Sequence, residues 1–109
     1  MKVAVAASGE NLDAPVDMRL GRCANIIAVD TDTMEFEVHS NPGALAGTGA
    51  GVAAAQVVAD AGAEAVIAGN FGINSLRAFN SGGITAYIGS GTVRQALQAL
   101  ADGELELVE

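Results

Sequence analysis

The chain has 109 residues, enough for one domain around one core, and half of them are apolar although only three Phe and one Tyr are present. Its formal charge of -8, with no run of basic residues, argues against nucleic acid or an anionic membrane as a partner. The lone Cys23 excludes an internal disulfide, and together with the lack of a leader-like or membrane-length apolar run it predicts a cytoplasmic protein.

The first apolar run, residues 2–7, predicts a strand, and residues 8–22, polar and containing Pro15 and Gly21, a long loop. Residues 25–30 are apolar on both faces and predict a central strand. A turn at 31–33 leads into 34–39. There Met34, Phe36 and Val38 alternate with Glu35, Glu37 and His39, the pattern of a half-exposed edge strand. A second loop, rich in Gly and small residues, starts at Asn41. An Ala- and Val-rich helix, expected to be largely buried, begins at Thr48 or Gly49 and runs to about Ala61, with Gly62 as its stop. Residues 65–68 form a buried strand, 73–80 a helix closed by Gly82 and Gly83, and 84–88 another strand. Thr92-Val93-Arg94-Gln95 carries the spacing of a capping box and opens a last helix ending near Gly103, followed by a short tail strand at 105–108.

A three-residue turn makes the second and third strands antiparallel, whereas helices between the later strands make those parallel. The expected architecture is α/β: a mixed five-stranded sheet in the order 3-2-1-4-5, strand 2 antiparallel, with helices on both faces. That topology gathers the loops 8–22, 41–49, 69–74 and 89–92 at the carboxyl ends of the parallel strands, where open α/β sheets bind ligands. Gly-rich turns there open into helix N-termini, which offer backbone N–H groups and a positive dipole end to an anion.

Several segments, in order, resemble one family. They are Ala14-Pro15-Val16-Asp17-Met18-Arg19-Leu20-Gly21-Arg22, Gly49-Ala50-Gly51-Val52-Ala53-Ala54-Ala55-Gln56, Val66-Ile67-Ala68-Gly69-Asn70-Phe71-Gly72-Ile73-Asn74 and Gly91-Thr92-Val93-Arg94-Gln95-Ala96. The chain is similar over nearly its whole length to the dinitrogenase iron–molybdenum cofactor biosynthesis family, which includes NifX-like and NifB C-terminal-like proteins and the orange-protein branch. The resemblance implies a ribonuclease-H-like three-layer fold. It also implies non-covalent carriage of an anionic metal–sulfur cluster (iron–sulfur, iron–molybdenum or molybdenum–copper) between donor and acceptor proteins. The chain departs from the family at Leu45-Ala46-Gly47-Thr48-Gly49, where many members have a His before the Gly.

The residues expected to meet such a cluster are Arg19, Gly21, Arg22, Cys23, Thr48, Gly49, Asn70, Gly72, Asn74 and Thr92. Arg19 and Arg22 supply donors to a polyanion, the alternative being solvated arginines or partners of Asp13 and Asp17. Gly72 lets the backbone approach, Asn70 and Asn74 can donate, and the alternative for these is ordinary helix capping. Cys23 as a thiolate with a pKa lowered by a nearby Arg, and His39 through its imidazole, are the candidate metal ligands. Against this, free Cys often packs as a small hydrophobe and His39 reads as a solvent-facing strand residue. Residues 49–54 match a dinucleotide pattern only loosely, and no acidic residue closes the following strand. With no carboxylate on the first strand and no Ser-His-Asp set, catalysis is not expected. The competing readings are an adaptor domain that binds a partner protein and a binder of small phosphates or nucleotides. Loops 8–22 and 41–48 are expected to be the least anchored segments.

Overall fold

The computed structural model describes residues 1–45 and 49–108. Six strands form one sheet: β1 (Lys2–Ala7), β2 (Asn25–Asp30), β3 (Phe36–Ser40), β4 (Ala65–Ala68), β5 (Thr85–Ile88) and β6 (Glu106–Val108). Their order is β3-β2-β1-β4-β5-β6, so the sheet has six strands rather than the five expected. The tail segment accounts for the difference, since Glu106–Val108 pairs antiparallel to β5. β1, β4 and β5 are mutually parallel, whereas β2 is antiparallel to both β1 and β3.

Three helices cover this sheet: α1 (Ala50–Asp60), α2 (Ile73–Gly82) and α3 (Val93–Ala101). The two faces are unequal. On one, α1 and α2 pack Ala54, Ala55, Val58 and Phe79 against Ala4, Ala6, Ile26, Val66, Ala68 and Ala86. On the other, α3 alone packs Val93, Ala96 and Leu97 against Val3, Val5, Ile27, Val29 and Ile67. The alternation of side chains along a strand sorts the small residues to the two-helix face and most of the β-branched ones to the one-helix face. Ala lets two helices approach closely, whereas Val and Ile fill the space a single helix leaves. Each buried Val or Ile contributes about 1.5–3 kcal/mol.

Three expectations are corrected. β3 begins at Phe36, not Met34, because Met34 takes a left-handed φ of 62° and ends the β2–β3 turn. β3 is the edge strand expected, but its apolar face is only partly covered: Phe36 and Val38 are 40% and 37% exposed, because α3 does not pack over them. α1 buries only one face, Ala54, Ala55 and Val58, and leaves Val52 exposed. Of its two expected starts, Gly49 is the N-cap and Thr48 lies outside the described residues.

Candidate anion-binding cleft

The loop 8–22 is not loosely held. Leu12, Ala14 and Leu20 are buried, and the backbone is stitched across the strand ends. Asp17 N donates to Ala6 O at 2.8 Å, Gly69 N to Asp17 O at 2.9 Å and Val16 N to Gly91 O at 2.8 Å. The sequence hid this anchorage because the apolar residues in the loop are too widely spaced to form a periodic pattern. Gly69 is needed where the loop crosses β4: a Cβ there would sit 2.7 Å from Met18 Cα, too close for any side chain.

The anchored loop ends in a 3-10 turn, Leu20–Arg22, which lies against the start of α1. A Cβ on Gly21 would come within 3.2 Å of Gly51 N, so the absence of a side chain permits this contact. Between this turn and the ends of α1 and α2 lies a cleft of about 300 Å³, lined by Arg19, Leu20, Gly21, Arg22, Ala50, Gly51, Asn70, Phe71 and Gly72. Among the described residues no carboxylate lines it, in a chain whose net charge is -8.

Two helix N-termini open here. α1 starts after Gly49 and α2 after Gly72, and neither N-cap carries a side-chain hydrogen bond. Their first carbonyls are used, by Ala53 N on Gly49 O and Leu76 N on Gly72 O. Among the described residues no acceptor meets the N–H groups of Gly51 and Val52 in α1 or of Ile73 and Asn74 in α2. Unsatisfied N–H groups at the positive end of a helix dipole attract anions. Asn70 does not cap α2: its Oδ1 accepts from Phe71 N at 2.9 Å.

The turn that carries the arginines is held from below by a residue outside the expected site set, Asn41. It is 6% exposed, and its Nδ2 donates to Leu20 O at 3.1 Å, Gly21 O at 3.3 Å and Cys23 O at 3.0 Å. Its Oδ1 accepts from Gly43 N at 3.0 Å. Arg22 Nη1 in turn lies 3.5 Å from Gly43 O, so Asn41 fixes both the arginine turn and the carbonyl that guides its side chain. The signal in the sequence was an Asn beside Pro42 after a strand, which reads as ordinary turn chemistry.

Cys23 differs from the expected activated thiolate. It is fully buried, donates from Sγ to Leu20 O at 3.1 Å and packs with Ile26 and Val58. Burial, with the nearby Asp17 charge adding, pushes its pKa from 9.0 up to about 11. The direction is the reverse of that expected for a ligand thiolate, because desolvation opposes the charged form. His39 lies on the α1 side of β3, opposite Ile26, and belongs to a separate depression with Val57, Asp60 and Ala61. Its Nε2 is 3.4 Å from Glu37 Oε2. Among the described residues no group of three or more His, Cys, Asp or Glu could hold a metal ion.

The structure therefore brings Arg19, Gly21, Arg22, Asn70 and Gly72 to one cleft, with Gly49 and Asn74 one and two residues from lining positions. It does not bring Thr92 or His39 there. Thr92 Oγ1 accepts from Gln95 N at 3.1 Å while Gln95 Oε1 accepts from Thr92 N at 2.9 Å, so the expected capping box forms and occupies its side chain. Thr48 lies outside the described residues. No helix among the described residues is long and apolar enough to cross a membrane.

The chain is similar to proteins of known structure. The apo form of the orange protein from Desulfovibrio gigas is 37% identical, with a TM-score of 0.93 over 98% of this chain and 92% of that one. A candidate NifB protein from Thermotoga is 32% identical, with a TM-score of 0.83 over 97% and 91% of the two chains. A candidate dinitrogenase from Methanocaldococcus jannaschii, at 18% identity and a TM-score of 0.71 over 100% and 95%, shares the fold. No curated protein matches the chain. The sequence profile described as dinitrogenase iron-molybdenum cofactor matches residues 1–103, and with these relatives it places the chain in the dinitrogenase iron–molybdenum cofactor family.

Proposed function

We propose that this chain binds and carries an anionic metal–sulfur cluster, held without covalent attachment in the cleft between the arginine turn and the N-termini of α1 and α2. The observation that carries this reading is the coincidence in one cleft of Arg19, Arg22 and two helix N-termini without side-chain caps. A sulfide-bridged cluster of iron, of iron and molybdenum or of molybdenum and copper presents a polyanionic surface. Guanidinium groups and backbone N–H groups complement such a surface without a dedicated ligand set. Arg22, guided by Gly43 O and the Asn41 clasp, holds its charge at the rim, and Arg19 adds a second. The glycines let the cargo approach the backbone, and Phe71 gives the cleft an apolar wall. Cys23 serves as packing beneath the turn, and its neutral thiol leaves the cluster without a sulfur bond to the protein. Family membership and the likeness to the orange protein support this reading, and the mixed sheet between helix layers supports a ribonuclease-H-like label for the fold.

The role is non-catalytic. Among the described residues the cleft has cations and amides but no general base, and the cargo passes on to an acceptor protein in the cytoplasm. Charge repulsion from the net -8 is screened within about 8 Å at physiological salt, so contacts at the cleft outweigh the long-range field.

The test is reconstitution of the purified chain with iron and sulfide, or with tetrathiomolybdate and copper, followed by gel filtration with visible detection. The protein has no visible chromophore of its own. Colour should co-elute with the wild type, and Arg22→Glu should reduce it at least about tenfold while the far-ultraviolet spectrum of the fold is kept. Equal colour in both would move the site elsewhere. No colour with any reagent would remove the carrier reading and favour the adaptor alternative.

A further inference from the structure

The outer edge of β3 is a built strand-pairing surface. β3 ends the sheet order, and β2 is its only strand partner among the described residues. The hydrogen-bond phase along β3 is fixed by its flanks: Asp30 N donates to Glu35 O at 2.9 Å and Asn41 N to Ala24 O at 3.1 Å. Glu35 pairs with position 30 and Asn41 with position 24, so Glu37 and His39 between them also aim their backbone groups at β2. The N–H and C=O groups of Phe36, Val38 and Ser40 therefore point outward, and none of them has a partner among the described residues. Edge strands commonly carry Lys, Pro or a bulge that blocks pairing with another chain; Phe36–Ser40 has none of these. Phe36 and Val38 are also exposed on the face that α3 leaves uncovered.

We propose that β3 is a self-association surface, pairing two copies of this chain as antiparallel strands about a two-fold axis through Val38. Charge complementarity selects a second copy as the occupant. With Val38 opposite itself, Phe36 falls opposite Ser40 of the other copy, and these pairs exchange the outward N–H···O bonds. Glu37 then falls opposite His39 of the other copy, in the non-hydrogen-bonded positions where Cα atoms approach to about 4.5 Å and side chains are closest. The two-fold axis is perpendicular to the sheet, so both members of each pair lie on the α1 side. His39 Nε2 is shielded from solvent and makes no hydrogen bond in the single chain; Glu37 approaches it only at 3.4 Å, and Asp60 of α1 shares its depression. The second copy's Glu37 adds a second carboxylate beside this partly exposed imidazole. On the opposite face Phe36 and Val38 gain cover from their counterparts. A five-residue edge buries little area, so the association is weak and depends on concentration.

Sedimentation velocity of the wild-type chain across micromolar to millimolar concentrations should show a monomer–dimer equilibrium. Val38→Pro removes an N–H that faces away from β2, a position where edge strands accept Pro, and should weaken association at least about tenfold. Register is read by oxidative cross-linking. Val38→Cys should link to itself, since directly paired residues lie about 5.5 Å apart at Cα, within disulfide reach. Phe36→Cys should not link to itself but should link when mixed with Ser40→Cys. Mixing Glu37→Lys with His39→Glu should restore the association that each alone weakens. A chain that stays monomeric at every concentration, or Phe36→Cys that self-links as readily as Val38→Cys, overturns the proposal.

Discussion

The three helices begin in two different ways. At α3 every early N–H has an internal partner: Val93 N donates to Ala14 O at 2.9 Å, Arg94 N to Leu12 O at 2.8 Å and Gln95 N to Thr92 Oγ1 at 3.1 Å. At α1 and α2 the caps are glycines, no side chain among the described residues closes the end, and both open on the arginine-lined cleft. All three helices follow the carboxyl side of the sheet, so the difference lies in what the loop 8–22 covers. Its first half closes α3, and its second half brings Arg19 and Arg22 to the other two. A helix end left without a cap costs stability, and a cleft that gathers two of them is what the proposed anion-binding role requires.

The largest stability effect tests the buried layer under the cleft. Cys23 has a folded-state pKa of about 11 against 9.0, so the folded chain holds its proton more tightly than the unfolded one. That contribution is complete below pH 9 and is lost as pH rises through about 11. Urea titrations across this window should show a loss on the order of 2 kcal/mol in the wild type that Cys23→Ala lacks. Parallel pH profiles for the two would place the thiol in contact with solvent.

A smaller effect separates the two kinds of helix start. Thr92→Ala removes the capping box and should cost about 1 kcal/mol, roughly a 5 °C lower Tm by calorimetry. Retention of a reconstituted cluster should not change, because Thr92 does not line the cleft. A loss of colour from this variant would extend the site to α3.

The smallest shift in stability is the most discriminating. Gly72 has φ -77° and ψ 158°, an extended conformation open to any residue, and nothing lies within 4 Å of a Cβ placed there. Gly72→Asp gives α2 the side-chain cap it lacks and should raise stability by a few tenths of a kcal/mol. The new carboxylate also takes up N–H groups that the proposed cluster would use, so visible absorbance after reconstitution should fall. A more stable variant with undiminished colour would remove α2 from the site.

Much of the fold was legible in the chain. β1, β2 and β4 have the bounds their apolar runs predict, and the Thr92–Gln95 box forms as its spacing requires. These features are local: burial alternation and cap chemistry act over a few residues. The arginine and glycine positions of the cleft were also visible, through motif resemblance joined to the expected convergence of loops. The face of β3 was not, because alternation shows which residues share a side but not whether a helix covers that side. Asn41 was missed for a related reason. Its value lies in carbonyls about twenty residues earlier in the chain, which no local pattern records.

By itself the sequence determined the alternation of strands and helices, the excess of negative charge and the scarcity of metal-ligating side chains. Tertiary structure alone decided that Cys23 is a sealed thiol, that the loop 8–22 is anchored and that two glycine-capped helices share a cleft with two arginines. The physical reason is that propensity and periodicity are short-range. Desolvation, loop docking and the meeting of helix ends depend on segments far apart in sequence whose positions only the packed sheet sets.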